Sequence, residues 1–250
     1  DIAVGRFGRM KPSMILFLTQ EIAGRHCLEL SVDYDTLAAR RMFWAVTRHK
    51  VQITRLPRRG ETIRVETWPM PTTRTCYPRS TVAYDAEGRE LFRSVGLWVL
   101  MDAGSRAMVL PGKSGVTVSG ILRGNELPSP ASLAPAALSA QVERTVRFTD
   151  LDVNGHMNNA RYLDWLADLL PGSFHENHVI QDMTLGYMAE ALEADALLQQ
   201  WQKVFDGPVT VFDYHFWRHQ YYNVCGLSLS NIIQQNQTGT PFPLMTNQGN

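Results

Sequence analysis

Arg147-Phe148-Thr149-Asp150-Leu151-Asp152-Val153-Asn154-Gly155-His156-Met157-Asn158-Asn159-Ala160-Arg161-Tyr162 is the most informative stretch of this 250-residue chain. It sets two carboxylates, three asparagines and a histidine between a strand-like segment, Val142–Phe148, and a helical one. The helical segment is Asn159–Leu170, with Tyr162, Leu163, Leu166, Leu169 and Leu170 at helical spacing. Gly155 can take a backbone shape that other residues resist. Asn158 or Asn159 suits an N-cap, and Pro171-Gly172 stops the helix. Unpaired N–H groups at a helix start favour developing negative charge, such as the oxyanion of an attacked carbonyl. A nearby histidine or carboxylate can activate water. An isolated Asn-Asn would be no more than a polar helix start. Asp-x-Asn-x-His followed, one residue later, by Asn-Asn points to chemistry.

Working outward, the front half shows a related plan. Pro12–Ala23 reads as a helix with proline at its first position. Met14, Ile15, Leu16, Phe17, Leu18 and Ile22 surround most of it, which predicts burial. Strand-like segments follow at His26–Asp33, Phe43–Arg55 and Thr62–Trp68, the last with Ile63, Val65 and Thr67 on one face. Ser80–Tyr84 and Glu90–Met101 flank the hairpin signal Asp85-Ala86-Glu87-Gly88. A buried helix followed by antiparallel strands is an α+β plan. Pro128–Ala140, uncharged and rich in Pro, Ala and Ser, reads as a linker.

Behind the linker the plan repeats, with strands at Val179–Tyr187, Ala196–Trp201 and Pro208–Trp217. Leu56–Ile63 corresponds to Met188–Leu197: each ends in an acidic residue two before an aliphatic one, with Trp68 or Trp201 a few residues on. The expected division is 1–130 and 140–250. Gln220–Asn250 holds no charged residue and is expected to be a loosely ordered tail.

Composition excludes several classes. With 44% hydrophobic and 19% charged residues the chain is globular material. Apolar runs such as Met14–Leu18 and Leu97–Met101 are too short to span a bilayer. Lys11 and the run after it imitate a signal peptide, but Gln20 and Glu21 break the run early. Cys27, Cys76 and Cys225 are widely spaced, which argues against a disulfide framework or a structural zinc site and for packed thiols in a reducing cytoplasm. No histidine pair has metal-ligand support, so neither metal nor cofactor is expected. His26 and His49 read as structural or surface groups, and His175 and His178 as loop residues. There is no nucleophile elbow, phosphate loop or nucleic-acid motif. Residues 1–140 hold 19 Lys and Arg against 12 Asp and Glu; residues 141–250 hold 5 against 12. A basic front half could steer an acidic partner, or the asymmetry is scatter.

The string around His156 resembles the Asp-Leu-Asp-Val-Asn-x-His-Val-Asn-Asn-x-x-Tyr signature of the plant and bacterial acyl-acyl-carrier-protein (acyl-ACP) thioesterases, with Met157 for the usual Val. Leu185-Gly186-Tyr187-Met188-Ala189-Glu190 resembles that family's Leu-x-Tyr-x-x-Glu, and Asp195-x-Leu197 continues it. Gln20-Glu21-x-Ala23-x-x-His26, Trp44-x-x-x-Arg48, Arg55-x-Pro57, Thr67-Trp68 and Trp98-Val99-Leu100-Met101-Asp102 agree too. The resemblance covers roughly residues 10–201.

It implies a double hotdog fold, two antiparallel sheets each wrapping a central helix. It also implies hydrolysis of acyl-ACP to fatty acid and holo-ACP, with the acyl pocket in 1–130 and the catalytic residues in 140–250. Carried over by position, the catalytic set is Asp152, Asn154, His156 and Glu190. Many plant members have Cys immediately after that Glu; here it is Ala191, so a thiol nucleophile is excluded. What remains is water or a carboxylate as nucleophile. Glu190 or Asp152 would activate the attacking group, with Glu190 favoured as base for water. Asn154, His156 and the backbone N–H groups opening the 159–170 helix would serve the oxyanion. The implied partner is an acyl carrier protein bearing acyl-phosphopantetheine, with no nucleic acid and no membrane span; a homodimer is allowed but not specified. Arg55, Arg58, Arg59 and Arg64 are candidates for touching that partner, and a solvated face explains them equally. The rivals are an acyl-CoA thioesterase of the same fold and a non-catalytic acyl-binding module, for which this polar cluster would be superfluous.

Overall fold

The computed structural model describes residues 2–133, 138, 140–205, 209–218 and 222–234. The first half runs α1 (Pro12–Glu29), α2 (Tyr34–Ala38), β1 (Met42–Ile53), β2 (Arg64–Pro69), β3 (Tyr77–Tyr84), β4 (Glu90–Asp102), β5 (Met108–Val109) and α3 (Pro111–Ser114). The second runs β6 (Ala140–Thr145), a 3₁₀ turn (Phe148–Asp150), α4 (Arg161–Asp168), α5 (Gly172–Asn177), β7 (His178–Tyr187), β8 (Ala196–Phe205), β9 (Val209–Arg218) and β10 (Tyr222–Gln234).

All the strands join one antiparallel sheet in the order β2-β3-β4-β1-β7-β10-β9-β8-β6, with β5 on β4. The order carries the internal repeat. In each half the strand after the central helix pairs with the last long strand, which pairs with the one before it. The halves meet where β1 pairs with β7, Arg48 opposite Gly186 and Val51 opposite Met183. The two sheets are therefore continuous, each with its own helix. The sequence correspondence between 56–63 and 188–197 falls on equivalent connections, β1 to β2 and β7 to β8.

One core cluster spans both halves. Ile15 and Leu16 of α1 pack with Leu163 and Leu166 of α4 over Val51, Ile53, Phe92, Met183 and Leu185. A second, of Val146, Met157, Tyr162, Trp165, Ala191 and Leu197, lies under the polar loop before α4. Burial of this kind contributes roughly 1.5–3 kcal/mol per large apolar side chain.

Several boundaries differ from the sequence reading. His26–Asp33 is not a strand: α1 continues to Glu29, and Asp33 caps α2 by accepting from the N–H groups of Asp35 and Thr36. The apparent alternation there is the partly exposed end of a helix followed by a cap. Gly172–Asn177 is a short helix rather than a loop. The expected tail is in part a strand, because β10 pairs with β7 on one side and β9 on the other. Leu227-Ser228-Leu229-Ser230 does alternate, but the lack of charge masked it; residues 235–250 lie outside the described residues. Arg55 is no free docking cation, since it pairs with Glu61 and buried Asp85, and Arg64 pairs with Glu66. No described helix is long and apolar enough to cross a membrane.

Candidate active site

Leu151–Met157 is a closed loop. Leu151 bridges Met157, the Asp152 N–H donates to the His156 carbonyl (2.8 Å), and the Gly155 N–H to the Asp152 carbonyl (3.0 Å). Gly155 has φ 76°, a region in which a Cβ is disfavoured. The Asp152 carboxylate completes the turn: its Oδ1 accepts from the Asn154 N–H at 2.8 Å and the His156 N–H at 3.4 Å. Asp150 ties the loop to the helix behind it, accepting from the Arg147 N–H (2.9 Å) and the Trp165 indole N–H (3.2 Å). The Met157 N–H donates to the Ala191 carbonyl (2.8 Å), so the loop docks on the β7–β8 connection that carries Glu190.

This docking brings together the four residues singled out in the sequence. Asp152, Asn154 and His156 share the loop, and His156 Nε2 lies 3.3 Å from Glu190 Oε2. His156 is buried, Glu190 half-exposed. Burial lowers the His156 pKa below its ordinary value of 6.5; Glu190 and Asp152 oppose that shift, and Arg106 adds to it. The net direction favours the neutral imidazole.

Arg106 escaped the sequence reading. It comes from the β4–β5 turn, at φ 57°, and its Nη2 donates to Glu190 Oε2 (2.9 Å) and contacts His156 Nε2. Its guanidinium lies 4.9 Å from the centre of the Phe43 ring, whose other neighbour is the His156 ring at 6.2 Å. Arginine in an Asp-Ala-Gly-Ser-Arg turn has no local signature; only the pairing of the halves delivers it to the site.

The start of α4 differs from expectation. The helix is Arg161–Asp168, with Ala160 at the N-cap position. Asn158 takes over the orphan donors: its side-chain oxygen accepts from the Ala160 N–H (2.9 Å) and its carbonyl from the Arg161 N–H (2.9 Å). These two N–H groups are therefore not available to an oxyanion.

A cavity of about 700 Å³ opens at this loop. Asp152, Asn154, Asn158 and Asn159 line one end; Phe17, Phe43, Trp44, Tyr77, Trp98 and Val118 of the first half form its apolar walls. A cavity of this size and lining suits a long apolar group.

The loop's backbone recurs ahead of α1. Val4 bridges Met10, the Gly5 N–H donates to the Arg9 carbonyl (2.8 Å), the Gly8 N–H to the Gly5 carbonyl (3.0 Å), and the Met10 N–H to the Pro57 carbonyl (2.8 Å). Gly8 has φ 71°, matching Gly155. By this equivalence Gly5 stands where Asp152 does, Phe7 for Asn154, Arg9 for His156 and Leu56 for Glu190. A second cavity, of about 650 Å³, lies beside this loop. The duplicated scaffold thus keeps its hydrogen bonds in both halves and its polar reacting set in one. Among the described residues no group of three or more His, Cys, Asp or Glu is arranged to hold a metal ion.

Comparison with known proteins agrees with this geometry. The family model described as the acyl-ACP thioesterase N-terminal domain matches residues 3–110, and that of the acyl-ACP thioesterase C-terminal domain matches 134–219. The chain is 28% identical over 203 residues to a chloroplastic dodecanoyl-[acyl-carrier-protein] hydrolase of Cinnamomum camphora, covering 75% of this chain and 53% of that one. It is 27% identical over 205 residues to a chloroplastic palmitoyl-acyl carrier protein thioesterase of Gossypium hirsutum, covering 75% and 49%. The chain spans about half the length of these curated relatives. Among solved structures, a 12:0-ACP thioesterase from Umbellularia californica superposes with TM-score 0.79 at 23% identity, covering 94% of this chain and 91% of that one. An acyl-ACP thioesterase from Bacteroides thetaiotaomicron gives 0.78 at 22%, covering 94% and 93%. These similarities establish the hotdog fold.

Proposed function

The chain belongs to the acyl-ACP thioesterase family, and from that premise we propose that it hydrolyses the thioester of an acyl-acyl-carrier protein to a free fatty acid and holo-ACP. One observation carries the reading: a largely apolar cavity walled by the first half ends at Asp152 and Asn154, on the loop whose His156 lies 3.3 Å from Glu190. The acyl chain occupies that cavity, and its thioester carbonyl lies against Asp152 and Asn154. Residues 1–130 supply most of the pocket, and 140–250 the reacting groups.

Glu190 is the base. It takes a proton from water as the water oxygen attacks the thioester carbon; the C–S bond then breaks, and Glu190 returns that proton to the sulfur, which leaves as holo-ACP. Arg106 holds the carboxylate, and neutral His156 orients the water. Protonated, it would add a second cation to Glu190, beside Arg106, and weaken it further as a base. The Asn154 side-chain amide, on a residue that lines the cavity, serves as donor to the oxyanion; losing such a donor costs about 2.7–4 kcal/mol. Asp152 is a positioning residue, because its Oδ1 already accepts two backbone N–H groups. Ala191 leaves the following position without a nucleophile. The partner carries the acyl group on phosphopantetheine, and the wide cysteine spacing suits a reducing cytoplasm.

Thiol release from matched acyl-ACP and acyl-CoA panels tests the reading. Turnover with at least tenfold preference for ACP is expected. Equal rates on CoA would remove the carrier protein as the partner; no thiol release from any thioester would overturn hydrolysis.

A further inference from the structure

The acyl cavity contains a charge that a hydrocarbon chain cannot use. Arg79, on β3, is 9% exposed and lines the cavity. Its Nη1 reaches His26 Nδ1 at 3.0 Å and Thr67 Oγ1 at 3.4 Å, and its Nη2 lies 3.9 Å from Cys27 Sγ. Neither His26 nor Cys27 returns a negative charge. Burial, then Arg79 itself, lowers the His26 pKa, although Glu29 opposes this. Burial raises that of the Cys27 thiol despite Arg79 beside it.

Three carboxylates line the same cavity, and each is engaged elsewhere. Glu21 pairs with Arg25 at 2.9 Å. Asp33 caps α2, accepting from the N–H groups of Asp35 and Thr36 and from the Thr36 hydroxyl. Asp152 closes its own loop. Among the described residues, Arg79 has no ion-pair partner.

A buried guanidinium without a counter-charge is costly, and its five N–H donors outnumber the contacts it makes. Every other charged side chain lining this cavity is engaged, Arg25 with Glu21, Asp33 with α2 and Asp152 with its own loop. We propose that Arg79 is a specificity residue and that the cavity takes an acyl chain bearing an accepting oxygen, a carboxylate or a hydroxyl, away from the thioester. This rests on the reading that the cavity holds the acyl chain. A site with a committed donor discriminates against a chain that leaves that donor unmatched.

The test compares acyl-ACPs matched in length, with a methyl end, a terminal carboxylate or a hydroxyl on the chain, across a series of lengths. For at least one length the wild type is expected to give a kcat/KM ratio, oxygenated over plain, of about ten or more. In Arg79→Met that ratio should fall to about one, with Arg79→Lys intermediate. Carboxylate and hydroxyl arms show which oxygen is read. Plain chains preferred at every length, or a ratio unmoved by Arg79→Met, would overturn the inference while leaving hydrolysis standing. Calorimetric binding of non-hydrolysable thioether analogues, by wild type and by whichever Arg79 variant keeps its melting temperature, reads the same discrimination without turnover. Equal affinity for plain and oxygenated chains there would overturn it even if no thioester were cleaved.

Discussion

Replacing Asp152 separates positioning from chemistry. Its Oδ1 accepts the Asn154 N–H at 2.8 Å and, more weakly, the His156 N–H at 3.4 Å. Hydrogen bonds to a charged acceptor contribute about 1.5–3 kcal/mol each, and the longer one sits at or below the low end. Asp152→Ala loses both, roughly 2–4 kcal/mol, so kcat/KM should fall about 30- to 1000-fold as the loop leaves its active shape. Asp152→Asn keeps an oxygen in the same place. It loses only the charge assistance, roughly 1–2 kcal/mol, and should retain activity to within about fivefold to thirtyfold. Thiol release from a good acyl-ACP substrate, with melting temperatures for each variant, gives the comparison. If Asp152→Asn falls as far as Asp152→Ala while both stay folded, Asp152 takes part in bond making and the positioning argument is refuted.

Other outcomes follow from the same structure. Arg106 lowers the His156 pKa, so Arg106→Ala should raise it and move the acid limb of the pH–rate profile to higher pH, with Arg106→Lys between; an unmoved or downward-shifted limb contradicts the contact. His49 is buried and desolvation lowers its pKa from 6.5 to about 4. A depressed histidine gives its full stability above the unfolded pKa and loses it as pH falls from 6.5 towards 4, here at most roughly 3 kcal/mol. Thermal melts between pH 7 and 4 should therefore fall, and His49→Leu should flatten that slope; an equal slope in the variant would remove His49 as the cause. Gly155→Ala meets nothing within 4 Å, so its cost is backbone strain alone at φ 76°. It should lower activity more than stability, losing about 1–2 kcal/mol in thermal or denaturant unfolding.

Much of this was legible in the sequence because it was local. The string from Asp150 to Tyr162 combines a glycine for positive φ, a carboxylate for its own turn and an asparagine before a helix. Its folded geometry follows from those residue types. The polar cluster was legible for that reason, but Asp152, Asn154, His156 and Glu190 were assigned by position from the resemblance; in the structure the first three share one loop, and His156 lies 3.3 Å from Glu190. The repeat was legible as helix, strand and bend recurring in order, yet its consequence was not. The β1–β7 seam that merges the sheets is a pairing between residues over a hundred positions apart, and no local pattern encodes it.

Arg106 and Arg79 were missed for the same reason. Each looks like an ordinary surface arginine until the sheet places it over Glu190 or behind α1. His26–Asp33 was misread because the end of a half-buried helix followed by a cap imitates alternation. Tyr222–Gln234 was passed over because a strand paired on both sides needs no charge. Two of the oxyanion donors expected at the helix start, the N–H groups of Ala160 and Arg161, are taken by Asn158, a competition that spacing does not reveal.

The most direct test of the account is thiol release from acyl-ACP by wild type, Glu190→Gln and His156→Ala, each shown to be folded by thermal melting. The account predicts turnover by wild type and losses of about 10²–10⁴-fold in Glu190→Gln, as expected for a general base. Undiminished turnover in a folded Glu190→Gln would contradict it, because the pair at 3.3 Å would then not be where water is activated.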